Sequence, residues 1–130
     1  MVPPPDRAAA HVLLVDDEAN LLRVLKRGLE LAGFTVTAAA DAAAAEAVLQ
    51  GSDGSRPDVL VTDLSMPGTS GVELTRRARA AHPDLPVLLC TGFVHAELDQ
   101  EARSAGVTRL LDKPLQVSSL AGAIREVLAG

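Results

Sequence analysis

Tryptophan and tyrosine are absent from this 130-residue chain, and phenylalanine occurs only twice. A core built without large rings must be aliphatic, and apolar residues are 48% of the chain against 2% aromatic. There is a single cysteine, Cys90, which excludes an intrachain disulfide and a cysteine-based zinc site. Cys90 lies inside an apolar run and reads as a small core residue. Basic charge is not in excess either: 12 Lys and Arg stand against 17 Asp and Glu, for a net charge of −5. That balance argues against a nucleic-acid surface, which usually carries a basic patch, and Arg76-Arg77 reads as a solvated helix face. No apolar run approaches the roughly 20 residues that span a bilayer. Residues 1–10 lack the charged start and apolar centre of a signal peptide. The expected setting is a reducing cytoplasm, with no membrane and no direct nucleic-acid contact.

What is present is alternation. Residues 1–10 contain Pro3-Pro4-Pro5 and read as a disordered lead-in or linker. From His11 onward, short aliphatic runs of strand length alternate with amphipathic or alanine-rich runs of helix length. Strands are expected at residues 12–15, 34–38, 59–62, 87–90 and 107–111. The first helix carries Leu21, Leu22, Leu25, Leu29 and Ala32 at helical spacing and stops at Gly33. Asp41 is placed to cap a helix over residues 42–50, followed by a flexible loop over residues 51–56. Further helices are expected from Ser70 or Gly71 to Ala81, over residues 96–105, and over residues 116–128.

Five βα units with near-continuous aliphatic strands imply an α/β domain over residues 11–129: a parallel sheet covered by helices on both faces. Right-handed crossovers leave few topologies, and the flavodoxin-like strand order 2-1-3-4-5 is the expected one. One domain of this length has room for a single core.

The chemistry lies at the strand ends. His11-Val-Leu-Leu-Val15 runs into Asp16-Asp17, and Asp58-Val-Leu-Val-Thr62 runs into Asp63. Pro86-Val-Leu-Leu-Cys90 runs into Thr91, and Val107-Thr-Arg-Leu-Leu-Asp112 runs into Lys113-Pro114. Ligands of open parallel sheets bind at that end, at the switch point between strands 1 and 3. Strands there stand about 5 Å apart, so Asp16, Asp17 and Asp63 would crowd. Each close carboxylate pair repels by on the order of 4 kcal/mol at an effective dielectric of about 20. Mg²⁺, a hard cation that takes oxygen ligands, is the natural counterweight, and Lys113 adds a charge suited to phosphoryl oxygens. Asp63 then reads as a nucleophile that forms an acyl phosphate, in a transfer that depends on positioning and charge neutralisation. Thr91 offers a hydroxyl to the new phosphoryl group.

With these residues in order, the chain resembles the receiver domains of two-component response regulators, over residues from about 10 to 129. The segments that carry the resemblance are Val15-Asp16-Asp17-Glu18, Asp63-Leu-Ser-Met-Pro-Gly68, Cys90-Thr91-Gly92 and Asp112-Lys113-Pro114. It implies Asp63 as phosphoacceptor, Asp16 and Asp17 as the acidic pair organising Mg²⁺, and the Ser65 main-chain carbonyl as a further ligand. It also implies Thr91 as the switch hydroxyl, Lys113 as the phosphoryl-binding lysine, and a cis bond before Pro114. The implied donor is a histidine kinase or a histidine phosphotransfer protein, and the implied role is signalling rather than turnover of a substrate. Homodimerisation through helix 4, strand 5 and helix 5 is a family habit on which the sequence is silent.

Two departures stand out. Leu110 occupies a position where the family often carries Tyr or Phe, so an aromatic switch coupled to Thr91 cannot work in its usual form. Ser65 and Phe93 occupy the positions that often set dephosphorylation rate, and neither suits the orientation of an attacking water. A long-lived phosphorylated state is therefore expected.

Blander readings exist for each residue. Asp17 can N-cap the first helix, Asp63 can serve a turn before Pro67-Gly68, Thr91 can cap a strand end, and Lys113 can sit on the surface near Asp112. His11, His82 and His95 share no metal-ligand spacing, although His95 follows Thr91 closely enough to face the acceptor. Competing functions are a receiver-like scaffold that binds partners without phosphorylation, and an Asp-nucleophile phosphatase on the haloacid-dehalogenase plan. The latter needs a second acid where Ser65 stands. The chain reads as a single-domain regulator or as the receiver of a longer protein such as a hybrid histidine kinase.

Overall fold

The computed structural model describes residues 10–51, 56–66 and 68–129. Residues 1–9 of the lead-in expected over residues 1–10, residues 52–55 of the loop expected over 51–56, and Pro67 lie outside the described residues. The elements run β1 (His11–Val15), α1 (Ala19–Leu31), β2 (Thr35–Ala39), α2 (Ala42–Leu49), β3 (Val59–Asp63), α3 (Gly71–Ala81), β4 (Val87–Thr91), α4 (Ala96–Ala105), β5 (Arg109–Asp112) and α5 (Val117–Ala129). The five strands form one parallel sheet in the order β2-β1-β3-β4-β5, as the alternation predicts.

Strand side chains alternate between faces, and each face finds its own helices. Leu13 and Val15 of β1 point into a cluster with Leu60 and Leu89, closed by Ala45 and Leu49 of α2, Leu74 and Ala78 of α3, and Leu98 and Ala102 of α4. Val12 and Leu14 point the other way, into a cluster with Leu25 and Leu29 of α1 and Leu120 and Ile124 of α5. Because β1, β3 and β4 are buried on both faces, their runs are continuously apolar. On the α1 and α5 side the helices press together at Gly28, where a Cβ would stand 2.5 Å from Cγ2 of Val117.

Two strands begin later than the apolar pattern predicts, for one shared reason. Gly33 and Gly106 adopt the left-handed conformation, φ 106° and 103°, which ends the preceding helix. The next backbone N–H then folds back onto that helix: Phe34 donates to the Leu29 carbonyl at 3.1 Å and Val107 to the Ala102 carbonyl at 2.9 Å. Those donors are spent on helix ends, so neither Phe34 nor Val107 opens its strand; β2 runs from Thr35 and β5 from Arg109.

Candidate functional site

Register brings the polar strand ends level. Val15 pairs with Thr62, so Asp16 and Asp63 leave neighbouring strands at the same height, while Asp63 pairs with Cys90 and Thr91 with Asp112. Asp16, Asp17 and Asp63 each offer a carboxylate oxygen within 4.8 Å of the others. Asp16 and Asp63 are buried and Asp17 is exposed.

Each residue is held by a local device. Asp16 turns one oxygen back, Oδ1 accepting from the Glu18 N–H at 2.8 Å, so it steadies the entry into α1. Glu18, not Asp17, is the N-cap residue of that helix, which leaves the Asp17 carboxylate without the capping task. Lys113 reaches in from the end of β5: its Nζ stands 2.9 Å from Asp63 Oδ1 and 3.4 Å from Asp16 Oδ2. Its own backbone N–H donates to the Thr91 carbonyl at 2.8 Å, and the Lys113–Pro114 bond is cis. Thr91 is buried, with Oγ1 accepting from the Phe93 N–H at 3.3 Å. Ser65 is exposed and lines an open cleft with Asp17, Leu64, Met66 and Ser70.

Electrostatics follow from this packing. Burial raises the Asp63 carboxyl above its ordinary value; the hydrogen bond and charge of Lys113 pull it down, and the charges of Asp16 and Asp17 push it up, leaving it raised. Burial alone would lower Lys113, but its hydrogen bond to Asp63 and the charges of Asp16 and Asp63 outweigh that, and the ammonium is held above its usual range. Lys113 is thus a fixed positive charge lodged between two buried carboxylates. Three hard oxygen donors left with negative charge to spare fit a divalent cation such as Mg²⁺.

The structure brings Asp16, Asp17, Asp63 and Lys113 together, places Thr91 at the end of the neighbouring strand and Ser65 in the cleft beside Asp17, and it adds two residues that the sequence did not mark. Gly71, first residue of α3, lies directly beneath the β3 end, where a Cβ would stand 2.3 Å from the Asp63 carbonyl oxygen. Its N–H donates to the Leu64 carbonyl at 2.9 Å, closing the loop that carries Ser65. Thr75 fixes the same helix end, its hydroxyl donating to the Gly71 carbonyl at 2.7 Å. A glycine after Ser70 reads in sequence only as a helix start, so the close approach has no sequence signal of its own.

The three histidines take other work. His11 pairs with Thr37 at 2.7 Å and His82 with the Leu49 carbonyl at 2.8 Å. His95 N-caps α4 through Nδ1, which accepts from the Leu98 N–H at 3.3 Å. The sequence reads His95 as a solvated or edge residue close enough to Thr91 to face the acceptor; in the structure its Nδ1 is committed to a helix end. Among the described residues, the one carboxylate, histidine or cysteine cluster able to hold a metal is the Asp16, Asp17 and Asp63 group. No described helix is long and apolar enough to cross a membrane.

Comparison with known proteins gives the same region a family. The family model for the response regulator receiver domain matches residues 12–125. The chain is 36% identical over 124 residues to the C4-dicarboxylate transport transcriptional regulatory protein DctD of Pseudomonas aeruginosa, covering 95% of the chain but 26% of that protein. It is 34% identical over 118 residues to the response regulator receiver protein CpdR of Brucella abortus, covering 91% of the chain and 96% of CpdR. The chemotaxis protein CheY4 of Vibrio cholerae superposes with a TM-score of 0.86 at 32% identity, covering 92% of this chain and 99% of that one. The chain therefore spans about a quarter of one such relative and nearly all of another.

Proposed function

Since the chain belongs to the response regulator receiver domain family of two-component signalling, we propose that Asp63 accepts a phosphoryl group from a phosphohistidine donor and thereby shifts the domain between two states. Receiver domains signal rather than turn over substrate, and their partners are histidine kinases or phosphotransfer proteins. Residues 11–129 act as the receiver unit, in the cytoplasm, where such a donor would meet it.

The observation that carries the reading is the lodging of Asp63: a buried carboxylate beside Asp16 and Asp17, with the Lys113 ammonium 2.9 Å away. A carboxylate oxygen of Asp63 attacks phosphorus in line. The phosphorus–nitrogen bond to the donor imidazole breaks as the new phosphorus–oxygen bond forms, and the imidazole leaves with its electron pair and takes a proton. Lys113 neutralises charge on the transferring group and opposes the burial that raises the Asp63 carboxyl. Asp16, Asp17, Asp63 and the Ser65 main-chain carbonyl would hold Mg²⁺, which when bound supplies the charge that lets anionic phosphate approach this acidic end of the sheet. Thr91 offers its hydroxyl to the phosphoryl oxygens once they are in place.

Intact-protein mass after incubation with Mg²⁺ and acetyl phosphate tests this directly. One added phosphoryl group, lost with EDTA and absent in Asp63→Asn, is the expected result. No addition at any donor concentration would sink the reading and favour a scaffold that binds partners without phosphorylation.

A further inference from the structure

The connection between β4 and α4 holds a row of contacts that phosphoryl transfer itself does not use. Thr91 Oγ1 accepts from the Phe93 N–H at 3.3 Å. Phe93 is 71% exposed, which is costly for a residue with a large apolar ring on a surface otherwise nearly free of aromatics. Its centroid lies 5.1 Å from the His95 ring, the planes tilted by 38°, a distance at which two rings attract one another. His95 Nδ1 in turn accepts from the Leu98 N–H, which fixes the ring proton on Nε2 and satisfies one of the open donors of the α4 N-terminus. Leu98 is buried in the cluster against which Leu110 packs. The buried hydroxyl beside the acceptor is thus joined, contact by contact, to the first turn of α4.

Leu110 has neither ring nor hydroxyl, so no side chain at that position can follow Thr91 as an aromatic one would. Phe93 can, because its backbone is bonded to the Thr91 hydroxyl and its ring to the cap of α4. We infer that Phe93 and His95 are positioning residues that couple the Thr91 hydroxyl to the N-terminus of α4, the aromatic partner coming from within the loop instead of from β5. This inference rests on the phosphoryl-transfer reading and names the regulation of that same site.

The consequence is a two-position element. When the Thr91 hydroxyl turns to donate to a phosphoryl oxygen on Asp63, the lone pair that held the Phe93 N–H turns away. Phe93 then shifts, its ring leaves His95, and the cap on Leu98 loosens. The moved α4 turn is the output that a partner reads. Gly92, where an added Cβ would meet nothing within 4 Å, leaves the loop room to make that change.

Backbone amide NMR of ¹⁵N-labelled protein, with and without Mg²⁺ and beryllofluoride as a stable phosphoryl mimic, separates the outcomes. The Thr91 amide reports the site and the Leu98 amide reports the cap. The variants are Phe93→Ala, Phe93→Tyr and His95→Asn; the last keeps a capping acceptor but removes the ring. The Thr91 amide is expected to shift in all four proteins. The Leu98 amide is expected to shift in the unmodified protein and in Phe93→Tyr, and to lose most of that shift in Phe93→Ala and His95→Asn. A Leu98 response that persists in full in both ring-less variants, or that is missing from the unmodified protein while Thr91 responds, overturns the coupling and reduces the ring pair to a surface contact. A Thr91 amide that does not respond in the unmodified protein overturns the phosphoryl-transfer reading itself, and the coupling with it.

Discussion

Gly71 and Asp63 are packed backbone to backbone: a Cβ at Gly71 would lie 2.3 Å from the Asp63 carbonyl oxygen and 2.7 Å from Cδ1 of Leu89. The second neighbour is the end of a flexible side chain and can move; the first is main chain and cannot. Gly71→Ala must therefore push the start of α3 away from the end of β3. The Gly71 N–H bond to Leu64 lengthens with it, and the loop carrying Ser65 follows. Overpacking of this kind destabilises by about 1–3 kcal/mol. The expected result is a lower midpoint in thermal melts together with slower phosphoryl incorporation by mass. Slower incorporation should remain in the double variant Gly71→Ala/Leu89→Ala, because relieving the side-chain contact leaves the carbonyl contact in place.

Asp63 is held against its preference for water, and that sets a sign. Its folded-state carboxyl is raised, first by burial and then by Asp16 and Asp17, against the lowering effect of Lys113. A raised acid favours its neutral form in the fold. Its contribution to stability is therefore complete below the unfolded value of 3.8 and is lost as pH climbs through the raised folded value. Metal-free Asp63→Asn, neutral at every pH, escapes that loss and should melt higher at neutral pH. Mg²⁺ should reverse the ranking, stabilising the unmodified protein by about 2.7 kcal/mol at a hundred times its dissociation constant and the variant by much less. Paired thermal melts with EDTA and with Mg²⁺ check both halves; a variant that melts lower in EDTA would contradict the electrostatic account.

Legibility in the sequence followed chain-local physics. Runs such as Val59 to Thr62 announced buried strands because both faces had to be apolar, and the polar residue ending each run announced the site because parallel strands end together. Asp41 was readable as a cap since its oxygen needs only a donor three residues on, and the Ala44 N–H supplies it at 2.8 Å. What escaped depended on contacts between elements. Val107 and Phe34 look like strand residues, but their N–H groups close the preceding helices, and no hydrophobic pattern encodes that. Gly71 beneath Asp63 and His95 beside Phe93 were invisible for the same reason: a glycine's neighbour and a ring's partner are properties of packing.

Cys90 should behave as a sealed thiol. It is 2% exposed, and its thiol is pushed up to about 12, first by burial and in part by the charges of Asp63 and Asp16, against the opposing charge of Lys113. Nucleophilic attack requires thiolate, so a disulfide reagent such as DTNB at pH 8 should leave the folded protein untouched and label it fully in denaturant. Because the raised value favours the neutral thiol in the fold, the associated stability is complete below pH 9 and declines as pH rises toward about 12. Fast labelling of the folded protein at pH 8 would show that β4 opens, since a buried thiol cannot react in place.

The phosphorylated state should be long-lived. An acyl phosphate on Asp63 is lost when water attacks phosphorus in line, and a nearby acid or amide that orients that water accelerates the loss. Ser65 is exposed with a short hydroxyl, and the Phe93 side chain offers only an apolar ring, with neither donor nor acceptor for a water. Neither can hold a water by two hydrogen bonds, so the phosphorylated state should persist for minutes or longer. Introducing a carboxylate through Phe93→Glu should shorten it, by no more than about a hundredfold, the lower end of what a positioned acid–base group contributes. Because Phe93 also carries the ring beside His95, Phe93→Tyr is the necessary control: it keeps the ring, adds no carboxylate, and should leave the lifetime close to that of the unmodified protein. A half-life of seconds in the unmodified protein, followed with radiolabelled phosphoryl group, would show that water is oriented by some other group at this end of the sheet.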